Sequence, residues 1–209
     1  MDVITITHTL PGSSPPLVLM LAAGAGVRMG GPKVFARVQG SAFATHIADT
    51  LHTLGWPALW VLRTQSQIPI LADIINYLPD VCINTNLDGD MLSSIQAALS
   101  APQALFQATY CIWPVDFPLI RPETLQQLAN ELGSCDGAVP VNLNCTGHPL
   151  IVKRHTLCRW ISSMPHDGLR QAMFEQPACI RQVPVLDPGP FQNLNTPDDC
   201  LAACPPPRE

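Results

Sequence analysis

The sequence feature that most constrains the fold is an apolar run that ends in a glycine-rich loop. Residues 17–33 read LVLMLAAGAGVRMGGPK, so a stretch of large apolar residues is followed by four glycines, an arginine and a lysine. The apolar part has the length and composition of a strand buried on both faces. Because glycines lack a Cβ, their backbone N–H groups can approach a bulky anion. The segment therefore predicts a strand followed by a loop that binds a polyphosphate.

Two cations accompany this loop. Lys33 is one of only two lysines in the 209-residue chain, the other being Lys153, so it is not part of a general solubilising surface. Together with Arg28 it places positive charge where a polyphosphate would lie. A tight strand-to-helix turn with two solvated cations is the alternative interpretation, because a glycine motif by itself is weak support for a binding site.

Composition excludes several classes of protein. With 47% hydrophobic and 13% charged residues, the chain is typical of a folded protein with a sizeable core. A net charge of -5 and the lack of a basic stripe argue against nucleic-acid partners. Apolar runs are too short to cross a membrane, and the first residues lack the features of a secretory signal. We therefore expect a cytoplasmic protein without nucleic-acid or membrane partners.

The cysteines and histidines give no sign of a metal or disulfide framework. Eight cysteines occur singly, without a C-x-x-C pair, and six histidines are equally dispersed. This pattern favours free thiols in a reducing compartment and gives little support to zinc.

Alternating apolar runs and helical patterns predict an α/β protein. We expect a single Rossmann-like three-layer domain over residues 17–204, with a flexible lead-in at 1–16 and a short tail at 205–209. Its sheet is predicted to be mostly parallel with one antiparallel strand pair, 138–141 with 149–152. The other predicted strands are 17–22, 58–62, 81–83, 110–113 and 183–185. The predicted helices are 43–54 with Ser41 as N-cap, 68–78, 92–99, 122–132, 155–163, 168–174 and one beginning after Thr196.

Strand order along the chain also predicts where a ligand binds. In parallel sheets, ligands lie beyond the carboxyl ends of the strands. The glycine loop follows the first strand and Asp116 follows a central one, so both should face one crevice. A turn role for Asp116, capping the helix that begins near Arg121, is the alternative.

These residues resemble the MobA-like nucleotidyltransferases, the enzymes that join a nucleotide to molybdopterin. The resemblance extends from Leu17 to Leu201 and implies a fold like that of the nucleotide-diphospho-sugar transferases. Six segments carry it in the family's order: the glycine loop of 21–33, Asn86 with 89–95, residues 115–119, the Gly-His-Pro turn of 147–149, residues 167–170 and residues 193–199.

The resemblance implies Mg²⁺-dependent nucleotidyl transfer with Arg28, Lys33 and Asp116 as catalytic residues. Arg28 would contact the outgoing pyrophosphate, Lys33 the α-phosphate, and Asp116 and Asn195 the Mg²⁺. His148 and Arg170 would meet the acceptor phosphate. The residues implied to bind the nucleotide are Leu21, Ala22, Ala23, Gly24, Ala25, Gly26, Arg28, Lys33, Asn86, Gly89 and Ser94.

The implied partners are a nucleoside triphosphate and a phosphorylated pterin, with a transient contact to a molybdoenzyme or its chaperone. Ala23 stands where guanylyl enzymes carry a second glycine, which favours CTP. Asn195 is more frequent in guanylyl enzymes, which leaves GTP as the second choice. Val115 departs from the glycine that precedes the family's metal-binding aspartate.

Local structural roles are alternatives for several of these side chains. Asn195 could serve as a capping residue before proline, Ser94 could bond its own helix, and His148 could be a turn residue. Arg170 could pair with Asp167 at the surface.

Three other functions remain open at this level. Transfer could go to another phosphorylated acceptor, such as a sugar or alcohol phosphate. An NAD(P)-dependent oxidoreductase is suggested by Gly24, Gly26 and Gly30 with Asp49 downstream, although the spacing G-x-G-x-x-x-G differs from the usual dinucleotide turn. A non-catalytic nucleotide-binding regulator finds its support in Val115.

Overall fold

The computed structural model describes residues 14–86, 91–143, 145–162, 169, 171 and 178–204. Its strands are β1 (Leu17–Leu21), β2 (Arg37–Val38), β3 (Ser41–Ala42), β4 (Ala58–Leu62), β5 (Asp80–Ile83), β6 (Thr109–Pro114), β7 (Gly137–Asn142), β8 (Cys145–Thr146), β9 (Leu150–Lys153) and β10 (Ile180–Pro184). Its helices are α1 (Phe43–Leu54), α2 (Gln67–Ile75), α3 (Met91–Leu99), α4 (Pro122–Glu131), α5 (Arg154–Ser162) and α6 (Pro197–Ala202). The predicted helix at 168–174, the first residues of the lead-in and the tail lie largely or wholly outside the described residues.

The main sheet has the order β10-β7-β9-β6-β1-β4-β5, with β8 paired to β7. Strand β9 runs antiparallel to both β6 and β7, whereas β1 is parallel to β4 and β6. The predicted mostly parallel sheet and its antiparallel pair are therefore confirmed. Parallel pairing brings the carboxyl ends of β1, β4, β5 and β6 to one edge.

Helices cover both faces of this sheet, which gives the predicted three layers. Every residue of β1 is buried, with Val18 and Met20 in one core cluster and Leu17 and Leu19 in the other. The first cluster contains residues of α1, α2 and α4, and the second contains residues of α3 and α5. The continuous apolar run of β1 is thus explained by burial on both sides.

Most predicted helix ends agree with the structure. Gly55 ends α1 in the left-handed conformation, and Thr196 caps α6 in a capping box with Asp199. The prediction that Ser41 caps α1 is wrong. Ser41 instead belongs to β3, which pairs with β2, and the Phe43 amide at the start of α1 donates to the Ala36 carbonyl at 2.8 Å. The folded-back chain supplies the acceptor that a serine cap would provide.

Within the described part of the chain, none of the helices combines the length and apolar character that crossing a bilayer requires.

Candidate active site

Backbone hydrogen bonds align the strand ends at one edge of the sheet. The Ala22 amide donates to the Val61 carbonyl at 3.0 Å, and the Val115 amide donates to the Leu21 carbonyl at 3.1 Å. The segments that follow β1 and β6 therefore leave the sheet side by side. The glycine loop and the Asp116 loop thus begin next to each other, as predicted.

Lys33 lies between two oxygen-bearing side chains from distant parts of the sequence. Its Nζ donates to Asp116 Oδ2 at 2.7 Å and also to Asn195 Oδ1. The partners are 83 and 162 residues away along the chain. The Lys33 and Asp116 side chains are 15% and 26% exposed, so the ion pair is open to the crevice on one side only. Three of the predicted site residues thus meet at one point.

Local structure explains why Asp116 and Asn195 meet there. The Leu194 amide donates to the Asp116 carbonyl at 2.8 Å. This hydrogen bond joins residues 193–196, here called the closing segment, to the loop after β6. Val115, which replaces the expected glycine, is buried beneath that loop. Asn195 directly precedes the N-cap of α6, and its amide donates to Asp199 Oδ2 at 2.9 Å.

Neither side chain has the capping role considered as its alternative. At the start of α4 it is Asp187 Oδ2 that accepts from the Arg121 amide at 2.9 Å and from Thr124 Oγ1 at 2.8 Å. At the start of α6 the capping residue is Thr196. The side chains of Asp116 and Asn195 are consequently directed to Lys33.

The glycine loop contains two glycines with different requirements. Gly26 has φ 62°, and a Cβ there would lie 1.8 Å from the Gly31 carbonyl oxygen, so the fold itself needs glycine. Its own carbonyl accepts from the amides of Met29 and Gly31, which closes the loop. A Cβ on Gly24 would meet nothing within 4 Å. Packing therefore gives no reason for glycine at position 24, whereas a close ligand would.

The backbone amides of residues 23–26 have no backbone or side-chain acceptor within the described part of the chain. Backbone N–H groups that are left unpaired in a loop of this kind form an anion-binding concavity. The predicted polyphosphate loop thus has donors available at its mouth.

Arg28 is exposed in a 3-10 turn, Val27–Met29, that follows the loop. The pKa of Asp199 is lowered, chiefly by the hydrogen bond from the Asn195 amide, and the charge of Arg28 also contributes. The charge of Arg28 is therefore near enough to Asp199 to act on it.

Asn84 is a residue that sequence reasoning missed. It is buried immediately after β5, and its Nδ2 donates to Ser93 Oγ at 2.9 Å and to Ser94 Oγ at 3.0 Å. Its Oδ1 accepts from the Asn86 amide at 3.0 Å. Asn84 thereby links two of the predicted nucleotide-binding residues. Its position as the first polar residue after a parallel strand, like that of Asp116, is the signal that could have found it.

His148 lies beside the Asp116 loop. Its ring centroid is 4.6 Å from that of Phe117, and its amide donates to the Pro190 carbonyl at 2.9 Å. Burial lowers the pKa of His148, partly opposed by the Asp116 carboxylate, so the imidazole is neutral at pH 7. It can therefore offer a hydrogen bond to a ligand but no fixed charge.

Two predicted site residues fall in ranges that the structure does not describe. Gly89 and Arg170 lie outside the described residues. In the described ranges, no group of three or more histidine, cysteine or acidic side chains is placed to hold a metal. Asp116 with Asn195 is consequently the metal-ligand pair to consider.

The loop geometry excludes the dinucleotide-binding alternative. A dinucleotide turn places its pyrophosphate on the N-terminus of the helix that follows the first strand. Here the glycine loop leads into two 3-10 turns, Val27–Met29 and Lys33–Phe35, and α1 begins only at Phe43. Asp49 lies within α1, so it does not follow a second strand.

A sequence model of the MobA-like NTP transferase domain matches residues 18–180. The chain belongs to this family. The match is to an NTP transferase domain, so the family is one of nucleotidyltransferases. The matched range includes the glycine loop, Lys33 and Asp116, whereas Asn195 lies beyond it.

Three relatives of this MobA-like domain are informative. The bifunctional protein GlmU of Azorhizobium caulinodans is 32% identical over 126 residues, which cover 58% of this chain and 27% of that protein. The chain thus spans about a quarter of that curated relative. Molybdopterin-guanine dinucleotide biosynthesis protein A from Archaeoglobus fulgidus has a TM-score of 0.66 at 21% identity, covering 90% of this chain and 96% of that one. The Rv0371c protein of Mycobacterium tuberculosis in complex with manganese has a TM-score of 0.68 at 17% identity, covering 91% and 100%. At these identities the two structures share the fold with this chain.

Proposed function

We propose that this protein transfers a nucleoside monophosphate from CTP, or from GTP as the second choice, to the phosphate of molybdopterin. An acceptor phosphate oxygen bonds to the α-phosphorus, the bond from that phosphorus to the bridging oxygen breaks, and pyrophosphate leaves. The observation that carries the proposal is the meeting of Lys33, Asp116 and Asn195 at the mouth of the glycine loop.

Nucleotidyl transfer requires alignment and neutralisation of charge more than covalent work by the protein. In the proposal, the unpaired amides of residues 23–26 hold the triphosphate and Arg28 faces the outgoing pyrophosphate. Lys33 contacts the α-phosphate, where charge accumulates as the new bond forms. All three groups belong to the one segment, residues 23–33, which supports a triphosphate bound along the loop.

The oxygen donors suit a hard divalent cation. Asp116 Oδ2 and Asn195 Oδ1 both contact one cationic atom, Lys33 Nζ, so they converge on a point that favours positive charge. Mg²⁺ prefers oxygen ligands and keeps several waters, so one carboxylate and one carbonyl oxygen fit it. When bound, Mg²⁺ supplies neutralisation of the departing pyrophosphate. The manganese complex of the mycobacterial relative supports a divalent ion in this fold.

The proposal also assigns residues to the base of the nucleotide and to the acceptor. Ala23 in the loop favours cytosine, and the network of Asn84, Asn86 and Ser94 lies at the same sheet edge to receive the nucleoside. The neutral His148 beside Asp116 is placed to donate to an acceptor phosphate. We place the reaction in the cytoplasm, with a transient contact to a molybdoenzyme or its chaperone that receives the product.

Nucleotide choice is tested by thermal stabilisation of the full chain with CTP, GTP, ATP or UTP, each with Mg²⁺. A ligand that binds only the native state raises the melting temperature according to its concentration and affinity. We expect the largest shift with CTP. Equal shifts with all four nucleotides, or none, would contradict the proposal.

Acceptor choice is tested by pyrophosphate release with molybdopterin and with a panel of sugar and alcohol phosphates. We expect turnover with molybdopterin and with none of the sugar or alcohol phosphates. Lys33→Met and Asp116→Asn should each lower turnover by about 10²–10³-fold, as expected for a lost preorganised charge. Lys153→Met is the matched control. This second lysine donates hydrogen bonds to the carbonyls of Gly133 and Ser134, at the edge of the sheet opposite the candidate site. Turnover with another acceptor would overturn the molybdopterin assignment, and binding without any turnover would favour a regulator.

A further inference from the structure

Two cysteines from separate segments are in contact on the side of the sheet away from the candidate active site. The Sγ atoms of Cys135 and Cys179 lie 2.6 Å apart, and the residues are 44 positions apart along the chain. Unbonded sulfur atoms do not normally approach so closely. Cys135 is buried, whereas Cys179 is exposed. One thiol is therefore accessible to a reagent in solution and the other stands directly behind it.

Asp136 holds the two cysteines in this arrangement. Its amide donates to the Cys179 carbonyl at 2.8 Å, and its Oδ2 accepts from the Cys179 amide at 2.9 Å. The other carboxylate oxygen accepts from Thr156 Oγ1 at 3.1 Å and contacts His155 Nε2 at 3.0 Å. The backbone of Cys179 is thus fixed at two points by the residue next to Cys135. The hydrogen bonds of Asp136 and the contact between the sulfur atoms thus join the same two segments.

The place of the pair in the sheet indicates what a bond between them would do. Gly137 and Ile180 begin β7 and β10 and are paired in a parallel register. Strand β10 is at the edge of the sheet, and its contact with the rest of the sheet is through β7. A covalent link at this end would attach the edge strand to its neighbour. It would also close the chain between positions 135 and 179 into a loop.

We propose that Cys135 and Cys179 are a site of reversible disulfide formation, with a small-molecule disulfide such as oxidised glutathione as the oxidant. The Cys179 thiolate attacks one sulfur of oxidised glutathione and releases one glutathione thiolate. The Cys135 thiolate then attacks the Cys179 sulfur of the mixed disulfide and releases the second. The two protein thiols lose two protons and two electrons, and one oxidised glutathione becomes two reduced molecules.

Formation of the disulfide is expected to make the fold more stable and to leave nucleotide binding unchanged. A cross-link that closes a segment of this length restricts the unfolded chain, and for a domain of this size it raises the melting temperature by roughly 5–10 °C. The site formed by Lys33 and Asp116 is at the opposite edge of the sheet, so nucleotide binding should be retained in both redox states. This inference does not depend on which acceptor or nucleotide the protein uses.

The test compares reduced and glutathione-oxidised full-length protein. Free thiols are alkylated, the chain is digested, and mass spectrometry identifies the cross-linked peptides. We expect a 135–179 link, a loss of two hydrogen masses, and the higher melting temperature, all reversed by dithiothreitol. Cys179→Ser should abolish the link and the shift, and because this residue is exposed the reduced variant should melt like the reduced wild type. Cys145→Ser removes another exposed cysteine and should change neither. Alkylation of both Cys135 and Cys179 after oxidation, or an unchanged shift in Cys179→Ser, would overturn the proposal.

The hydrogen bonds of Asp136 give a second measurement. Asp136→Asn keeps both thiols but replaces a charged acceptor by a neutral one. Because it also removes a charge that raises the pKa of Cys179, the rates are compared at equal thiolate fraction, where cross-linking should be roughly threefold to tenfold slower. The rate is measured on folded protein by quenching with N-ethylmaleimide at intervals. An unchanged rate would show that Asp136 does not position the thiols.

Discussion

The observed contacts of Lys33 compete with its proposed role. The same Nζ that is proposed to contact the α-phosphate also contacts both proposed metal ligands, Asp116 and Asn195. In the chain without nucleotide, a divalent cation would have to displace this ammonium group. Nucleotide that draws Lys33 towards its phosphates would free the two oxygens, so metal and nucleotide should bind together better than metal alone.

This competition predicts the effect of Lys33→Met on metal affinity. Removal of a positive charge in contact with Asp116 should strengthen binding of Mn²⁺ to the nucleotide-free protein by roughly tenfold or more, while turnover is lost. Electron paramagnetic resonance of free Mn²⁺ measures the affinity directly. Lys153→Met should leave it unchanged. Equal Mn²⁺ affinity in wild type and Lys33→Met would show that the lysine does not compete for the site.

Substitution by alanine is expected to have different effects at Gly24 and at Gly26. Gly26→Ala should destabilise the fold by about 1–3 kcal/mol from backbone strain, with a further cost from the contact with the Gly31 carbonyl. Gly24→Ala should leave the urea midpoint nearly unchanged but weaken nucleotide binding, because its Cβ points into open space. Urea unfolding and nucleotide titration of both variants separate the two effects. A destabilised Gly24→Ala protein would contradict this prediction.

At the level of elements, one buried carboxylate organises the start of α4. Asp187 accepts from the Arg121 amide, from Thr124 Oγ1 and from the Gly189 amide at 3.0 Å. It thereby joins α4 to the segment that leads to Asn195. The exposed Arg121 guanidinium is 3.7 Å away and adds little.

Asp187→Ala should therefore destabilise the protein by about 1–3 kcal/mol, since it leaves buried donors without an acceptor. Urea unfolding followed by tryptophan fluorescence measures the change. Asp198→Ala, which removes an exposed carboxylate from the first turn of α6, is the control and should cost less. A loss no larger than that of the control would mean that water replaces the carboxylate at α4.

The elements that the sequence predicted well are those whose signals are local. The burial of β1 on both faces follows from five consecutive apolar residues, and the capping box of Thr196 and Asp199 follows from spacing alone. The cap of α4 could not be found in this way. Asp187 lies 66 residues beyond Arg121, and it reaches the helix only because the sheet order brings its loop there.

The whole molecule is expected to lose stability in acid because two carboxylates have lowered pKa values. The pKa of Asp136 is below its usual 3.8, chiefly through the hydrogen bond from the Cys179 amide, and that of Asp199 is lowered chiefly by the Asn195 amide. A lowered folded-state pKa gives stability that is fully present above the ordinary carboxyl value and is lost as pH falls through the folded value. Urea midpoints between pH 7 and pH 3 should therefore fall below about pH 4.

Asp136→Asn should reduce this acid dependence and lower stability at pH 7. Asp73→Asn, at an exposed position of α2, serves as the control. If the acid dependence of Asp136→Asn matched that of the wild type, the hydrogen bonds to Asp136 would not be a source of acid sensitivity.

The residues of the candidate site and the edge of the sheet where they lie could be predicted, but not the contacts of Lys33 with Asp116 and Asn195. Sequence reasoning named Lys33, Asp116 and Asn195 separately, and the family resemblance assigned them roles. Their direct contact depends on the hydrogen bond between the closing segment and the loop after β6. Motif spacing in the sequence does not predict this contact. The cysteine pair was missed for the same reason, because its residues are 44 positions apart along the chain. Asn84 was missed because its contacts with Ser93 and Ser94 depend on how α3 packs beside β5.

The return of the closing segment also sets the moment at which the site becomes complete during synthesis. Lys33 and Asp116 are available early, but Asn195 comes after the last strand of the sheet, and the Leu194 amide joins it to Asp116. A growing chain on the ribosome can assemble most of its sheet before this residue emerges. Prematurely terminated chains that end before Asn195 would lack this proposed metal ligand, although every strand of the described sheet precedes it.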